Sequence, residues 1–248
     1  MNFSLNQPIQ NDHKRKPVIV FAVPGHHYTP GFMSSWTNFT TVNSINQKIH
    51  LTYTNTYSPN LYHCRNLLLG GDNLAGVYQT PWQGKLYYDY IFFIDTDQVF
   101  EPDQIYRLID KMESDQTLEI LTGMYVMAMG GKTPVVLEWN KDYFAQNGKF
   151  DFKTPKQLID LASNTPNGLV KAFYNGMGFS IFRKGVFEKL EYPWFRPLTH
   201  KVGENIDLMG EDVALFYNLY EKGINLWIDP YVYVGHEKYQ VLKPMGDY

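Results

Sequence analysis

Five large apolar residues, Tyr90-Ile91-Phe92-Phe93-Ile94, run without a break into Asp95-Thr96-Asp97. A strand that is apolar at every position has no face to offer to water, so it belongs inside a sheet covered on both sides, and such sheets are parallel or nearly so. Val18 to Val23, closed by Pro24-Gly25, has the same character. Ile49 to Thr54 alternates as a second strand, after an amphipathic stretch from Phe32 to Ile45. Helices are expected between the strands. Leu61 to Leu69 reads as one, ended or bent at Gly70-Gly71-Asp72, and another begins near Pro102, with Ile105, Leu108, Ile109 and Met112 on one apolar face. This strand and helix alternation continues to about Tyr125 and predicts an α/β fold with a mixed, largely parallel central sheet flanked by helices.

Beyond Tyr125 the pattern loosens. Val135 to Trp139 and Phe179 to Phe182 read as strands, Thr154 to Ala162 as a short helix, and the region 139–170 otherwise has no clear code. Gly210-Glu211-Asp212 opens a helix whose apolar stripe is Val213, Phe216, Tyr217 and Tyr220 and whose stop is Gly223. Ile224 to Ile228 is a strand, Asp229-Pro230 a turn, and Tyr231 to Val234 a last strand ending at Gly235-His236. Residues 1–16, polar and closed by His13-Lys14-Arg15-Lys16, are expected to form a loose, solvated arm, with one domain over 17–248.

Composition removes several classes of function. A net charge of -3 without a dense Lys/Arg run argues against nucleic acid as a partner. The lone Cys64 rules out an intramolecular disulfide framework and a thiolate zinc site, which points to a reducing cytoplasm and idle sequons at Asn2 and Asn38. No stretch is long and apolar enough to span a bilayer, so a soluble chain with at most peripheral membrane contact is expected. Aromatic residues make up 16% of the chain; flat apolar rings can stack on sugars, but core packing is their commoner use.

Ligands of open α/β sheets bind beyond the carboxyl ends of the strands, where Asp95 and Asp97 stand. Two acids spaced this way can place one oxygen on a ribose or sugar hydroxyl and another on a hard cation such as Mn²⁺ or Mg²⁺. Asp after a strand also serves as a turn former or a helix cap. Glu211 and Asp212 favour a helix N-terminus by charge alone, yet an acid held there and facing a cleft can also take a proton. His236, at the end of a strand-like segment, is a possible metal ligand or a plain surface residue.

The order of these features resembles that of the GT-A glycosyltransferases, and of inverting enzymes such as those of glycosyltransferase family 2 in particular. The resemblance runs from about residue 17 to 238 and rests on Ile91 to Asp97, Asn175-Gly176-Met177-Gly178-Phe179 to Arg183, Pro193-Trp194-Phe195, Gly210-Glu211-Asp212-Val213 and Val234-Gly235-His236. It implies transfer of a sugar from a nucleotide-diphosphate sugar to an acceptor hydroxyl, with Mn²⁺ or Mg²⁺ as cofactor. Asp95 would contact the ribose or sugar, or share the metal held by Asp97 and His236. Asp212 would be the general base and Glu211 would bind the acceptor. Pro24 and Gly25 would flank the nucleotide base and Arg65-Asn66 would reach the nucleotide. Gly176 to Gly178 would admit the donor sugar or acceptor, and Trp194 would be a floor for the acceptor sugar. The usual family 2 acid after the second strand is replaced by Thr54-Asn55-Thr56-Tyr57, which leaves the base open between a UDP-sugar, taken first, and a GDP-sugar. His26 and His27, after the first strand, are either part of the site or loop residues.

Two other functions share parts of this pattern. A sugar-nucleotide nucleotidyltransferase needs a Gly-rich phosphate loop after the first strand, and Pro24-Gly25-His26-His27 is not one. A glycan-binding protein that had lost its chemistry would have no physical reason to keep Asp95, Asp97, Asp212 and His236 together.

Overall fold

The computed structural model describes residues 15–127 and 131–239; most of the expected N-terminal arm, with Asn2 and His13-Lys14, lies outside them. Arg15, at its end, is not merely solvated: its Nη2 donates to Asp89 Oδ1 at 2.6 Å.

The chain begins as β1 (Val18–Pro24), α1 (Pro30–Asn46), β2 (His50–Thr56), α2 (Leu61–Leu68) and β3 (Tyr90–Ile94). It continues through β4 (Gln98–Val99), α3 (Pro102–Ser114), β5 (Ile120–Met124), α4 (Lys141–Asn147), α5 (Pro155–Ser163) and β6 (Val170–Ala172). The last elements are β7 (Phe179–Arg183), β8 (Thr199–Val202), β9 (Asn205–Leu208), α6 (Glu211–Glu221), β10 (Leu226–Tyr233) and β11 (Gly235–His236). Seven strands form the central sheet in the order β2-β1-β3-β7-β5-β10-β6. β2, β1, β3, β5 and β10 run one way, and β7 and β6 run against them.

The apolar runs are explained by two packed layers. Val20, Ala22, Ile91 and Phe93 face one side, under Leu68 of α2, Leu158 of α5 and Phe216 of α6. Ile19, Phe21, Phe92 and Ile94 face the other, under Phe32 and Phe39 of α1 and the predicted Ile105, Leu108, Ile109 and Met112 stripe of α3. Since strand side chains alternate between faces, a strand buried on both sides has no position at which an unpaired charge can reach water. The carboxylates therefore begin only at Asp95, where β3 leaves the sheet.

Several expectations are corrected. Val135 to Trp139 is not a strand but makes a single bridge, Val136 to Tyr174. Asp229-Pro230 is not a turn: β10 passes through it with a register shift, and the buried Asp229 takes a 2.7 Å bond from Arg107 Nε. The local residues favour a turn, but the ion pair and the neighbouring β5 keep the chain extended. On α6 the buried face is centred on Leu215, Phe216 and Leu219, and Tyr220 is 56% exposed. That helix is apolar nearly all round, so periodicity alone could not choose its inner face. β6, α4 and the β8–β9 hairpin carry no strong periodic pattern and were not foreseen. Among the described residues no helix is long and apolar enough to cross a membrane.

Phe92 is fully buried at the centre of β3, with its ring 5.4 Å from that of Phe21 and 5.0 Å from that of Phe179. Phe92→Ala should lower the unfolding free energy by about 3–5 kcal/mol, read from the midpoint shift in chemical denaturation.

Candidate active site

The ends of β1 and β3, the start of β7 and the start of α6 meet at one edge of the sheet. A cleft of about 280 Å³ opens there, bordered by Pro24, Gly25, Arg65, Asp95, Asp97 and Asp212. Tyr57, Tyr125, Met177 and Glu211 also border it. A larger cavity, about 710 Å³, opens elsewhere, among the starts of β5 and β10, Trp139 and Tyr220; none of the site residues named above borders it. The smaller cleft gathers the carboxylates, which makes it the candidate site.

Arg65 binds the two acidic pairs together. Its Nη2 donates to Asp95 Oδ1 and its Nε to Glu211 Oε1, each at 3.3 Å, and its side chain is only 4% exposed. Its Nη1 has no hydrogen-bond partner among the described residues. Burial opposes the guanidinium charge, but Asp95 and Glu211 outweigh it and raise its pKa. Asp95 itself is pushed above the ordinary carboxylate value by burial, against the pull of Arg65. The neighbouring Asn66 does not reach the cleft edge. Its amide donates to Phe195 O at 2.6 Å and to Tyr62 O at 2.7 Å, fastening α2 to the 193–195 segment.

Asp97 and His236 are joined by the antiparallel pairing of β4 with β11, in which His236 stands opposite Gln98. His236 Nε2 lies 3.3 Å from Asp97 Oδ2, and Nδ1 lies 3.0 Å from Val126 O. A carbonyl only accepts, so Nδ1 carries a proton and Nε2 is the nitrogen turned to Asp97. Lys238 Nζ reaches the same Asp97 oxygen at 2.5 Å. Burial alone would raise Asp97, but the bonds from His236 and Lys238 prevail and hold it below the usual range. The bond to Asp97 in turn raises His236, against burial.

These residues fit a divalent cation in a particular way. Among the described residues no group of three His, Cys, Asp or Glu side chains converges on one point. Asp95 is turned to Arg65, which leaves Asp97 and the Nε2 of His236 as the pair. One carboxylate and one imidazole, with the imidazole tautomer fixed by a carbonyl behind it, suit an ion that takes its remaining ligands from water and phosphate oxygens. The Lys238 ammonium marks the Asp97 oxygen as a seat for positive charge.

Asp212 stands in the first turn of α6, after the Gly210 cap. Its Oδ1 accepts from Val213 N and its Oδ2 from Tyr174 Oη, both at 2.8 Å. Burial and then the charge of Glu211 push its carboxyl up to about 6, with the Tyr174 bond and Arg65 opposing them.

The glycines and Trp194 act otherwise than expected. A Cβ on Gly176 would lie 2.1 Å from Tyr125 Oη, and one on Gly178 would lie 2.9 Å from Gln98 Nε2. Protein side chains fill that space, so these glycines seat Tyr125 and Gln98, and it is Met177 between them that borders the cleft. Trp194 is fully buried against Phe187 and Tyr192, with no face left for a sugar. At Gly25, φ is +111°, a conformation that excludes side chains, and Asn55 Nδ2 bonds both Val23 O and Gly25 O at 2.8 Å. Asn55 is thus committed to the backbone, while Tyr57, half exposed, borders the cleft with His26 against its ring. His27 packs on His26 and both are exposed. Tyr125, Tyr174 and Lys238 were missed; nothing local distinguishes them among 19 tyrosines and the surface lysines.

No protein-family model matches the sequence, and no curated protein matches it. Solved structures do resemble it. A197 from STIV superposes with a TM-score of 0.51 at 14% identity, over 94% of this chain and 100% of that one. GalNAc-T7, crystallised with UDP, GalNAc and Mn²⁺, superposes with a TM-score of 0.56 at 10% identity, over 90% of this chain and 44% of that one. The chain thus spans less than half the length of GalNAc-T7. At such identities the likeness is one of fold, and the fold is GT-A: a mixed, mostly parallel sheet between helices, as the sequence pattern implied.

Removing Arg65 should expose its balancing role. In Arg65→Met, Asp95 loses the cation that opposes the rise caused by its burial, so its folded-state pKa climbs further above the unfolded one. The stability it contributes is then present at low pH and lost as pH rises. The variant should be destabilised by about 3 kcal/mol at neutral pH and by clearly less at pH 5, measured as melting temperature against pH beside the parent.

Proposed function

We propose that the chain is a glycosyltransferase that moves a sugar from a nucleotide-diphosphate sugar, a UDP-sugar first, to an acceptor hydroxyl with inversion. The observation that carries this reading is the meeting of Asp95 and Asp97 with Glu211 and Asp212 across Arg65 in one cleft of a GT-A fold. GalNAc-T7, of like fold, was crystallised with UDP and Mn²⁺, which supports the choice of donor and metal.

Pro24, Gly25 and Tyr57 border the side of the cleft assigned to the base, with Tyr57 presenting a ring on which it can stack. Asp95, steadied by Arg65, accepts from a hydroxyl of the ribose or sugar. The unspent Nη1 of Arg65 supplies a donor for an anionic oxygen. Asp97 and His236 would hold Mn²⁺ or Mg²⁺, which when bound neutralises negative charge on the diphosphate. Glu211 lies beside the acceptor, and its tie to Arg65 links the acceptor side to the donor side.

In the transfer, the acceptor oxygen attacks the anomeric carbon while the bond from that carbon to the diphosphate oxygen breaks. The diphosphate leaves with the electron pair, and the acceptor proton passes to Asp212. A single displacement of this kind inverts the anomeric centre. An acid whose pKa stands at about 6 is ionised at neutral pH and still has appreciable proton affinity, as a general base requires.

The first test is thermal stabilisation by UDP, GDP, CMP and dTDP and their sugars, with and without Mn²⁺. A Mn²⁺-dependent rise with UDP is expected, and no rise with any nucleotide would sink the reading. Asp97→Asn should abolish the Mn²⁺-dependent part. Asp212→Asn should keep donor binding and lower turnover by about 10²–10⁴-fold; wild-type turnover in that variant would remove Asp212 as base. As pH falls through about 6, protonation of Asp212 should remove activity, measured as kcat/KM against pH.

A further inference from the structure

Tyr174 follows β6 and is locked at its main chain by two bonds to Val136: its N–H donates to Val136 O at 3.1 Å, and its carbonyl accepts from Val136 N at 2.9 Å. Its buried ring lies between Phe150 (centroids 5.9 Å apart, 29° between planes) and Phe216 (6.0 Å, 74°), the latter one turn beyond Asp212 on α6. Thus both the phenol and the helix it meets are held by packing. The phenol cannot swing away without opening the aromatic layer.

We propose that Tyr174 is the positioning residue for the Asp212 carboxylate, holding Oδ2 through its hydroxyl while the Val213 N–H holds Oδ1. The proposal rests on Asp212 being the base. Each carboxylate oxygen has two acceptor directions, so one donor at each fixes the plane of the group and leaves a direction free for the acceptor hydroxyl. The phenol suits this task because burial first, and then the charge of Asp212, keeps it protonated far above neutral pH. It can only donate to the ionised acid, which lowers the acid's proton affinity.

The other groups around Asp212 account for the rest of its balance. Glu211 on α6 raises its proton affinity, and Arg65 on α2 lowers it. Tyr62 on α2 and Tyr125 after β5 also feel its charge, but the hydroxyl of Tyr62 is spent on Met209 O. Tyr174 is the one side chain among the described residues that hydrogen-bonds Asp212.

The test uses the full chain and two replacements of opposite sign. Tyr174→Phe deletes the donor and keeps the ring; 3-fluorotyrosine at position 174 makes a stronger donor. The Asp212 titration is followed by ¹³C NMR of the carboxyl carbons, its resonance being the one lost in Asp212→Asn. The midpoint should rise by about one pH unit in Tyr174→Phe and fall by a few tenths with fluorotyrosine. In kcat/KM against pH, the acid limb should move by the same amounts. Donor KM should stay unchanged, and turnover near pH 8 should remain within a few fold of the parent. If Tyr174→Phe does not fold, the fluorotyrosine protein alone decides the sign. A midpoint unmoved by either change overturns the proposal, as does an acid limb that stays in place in an active enzyme. A midpoint that moves in a chain that transfers no sugar at any pH leaves the hydrogen bond standing, removes its catalytic purpose, and refutes the function rather than the contact.

Discussion

Arg65 is one buried cation facing two carboxylates that belong to different parts of the chain, Asp95 at the end of a strand and Glu211 at the start of a helix. Without it, two negative groups would share a cleft with little water to separate them, and one would have to take up a proton or move out. With it, the strand end and the helix start are kept at a set spacing. The rest of the cleft depends on that spacing: Asp212 is the next residue after Glu211, and Asp97 is two residues beyond Asp95. Asn66, the neighbour of Arg65, holds the helix that carries the guanidinium through its bonds to Tyr62 and Phe195. One side chain balances charge while the next fixes position.

The sheet supplies the rigid frame for this arrangement. β1 and β3 are buried on both faces, so their ends can shift little without disturbing both aromatic layers. The glycines before β7 belong to the same frame. They let Tyr125 and Gln98 sit close under the strand end, and Tyr125 in turn lies against the His236 ring, with centroids 5.0 Å apart. Positions that read as room for a ligand are in fact room for protein, and the cleft wall is formed by what they admit. The polar and the apolar parts of the site are therefore coupled: the same packing that buries Tyr174 also brings its hydroxyl to Asp212.

Legibility in the sequence followed the range of the forces involved. The apolar runs of β1 and β3, the α3 stripe and the acids at the end of β3 and the start of α6 were readable because each is a local pattern with one physical cause. Val135 to Trp139 misled because an apolar run satisfies a loop packed on a core as well as a strand. Trp194 misled because an aromatic ring serves a core and a sugar platform equally well, and only its surroundings, here Phe187 and Tyr192, decide between them. Tyr174 and Lys238 were invisible for a different reason: a hydroxyl or an ammonium acquires its role from the carboxylate that it meets, and Asp212 and Asp97 are 38 and 141 residues away from them in the chain.

By itself, the sequence determined the doubly covered sheet, the end of the sheet at which charge would collect and the residue types available there, because burial on both faces of β1 and β3 leaves no place for an unpaired charge before those strands end. Tertiary structure decided the pairings. It set Arg65 between Asp95 and Glu211, brought His236 to Asp97 through β4 and β11, turned the glycines toward Tyr125 and Gln98, and gave Asp212 its tyrosine. Periodicity records only which side of an element is apolar. A hydrogen bond or an ion pair depends on distances of a few ångströms between segments far apart in the chain, and those distances exist only once the layers have packed.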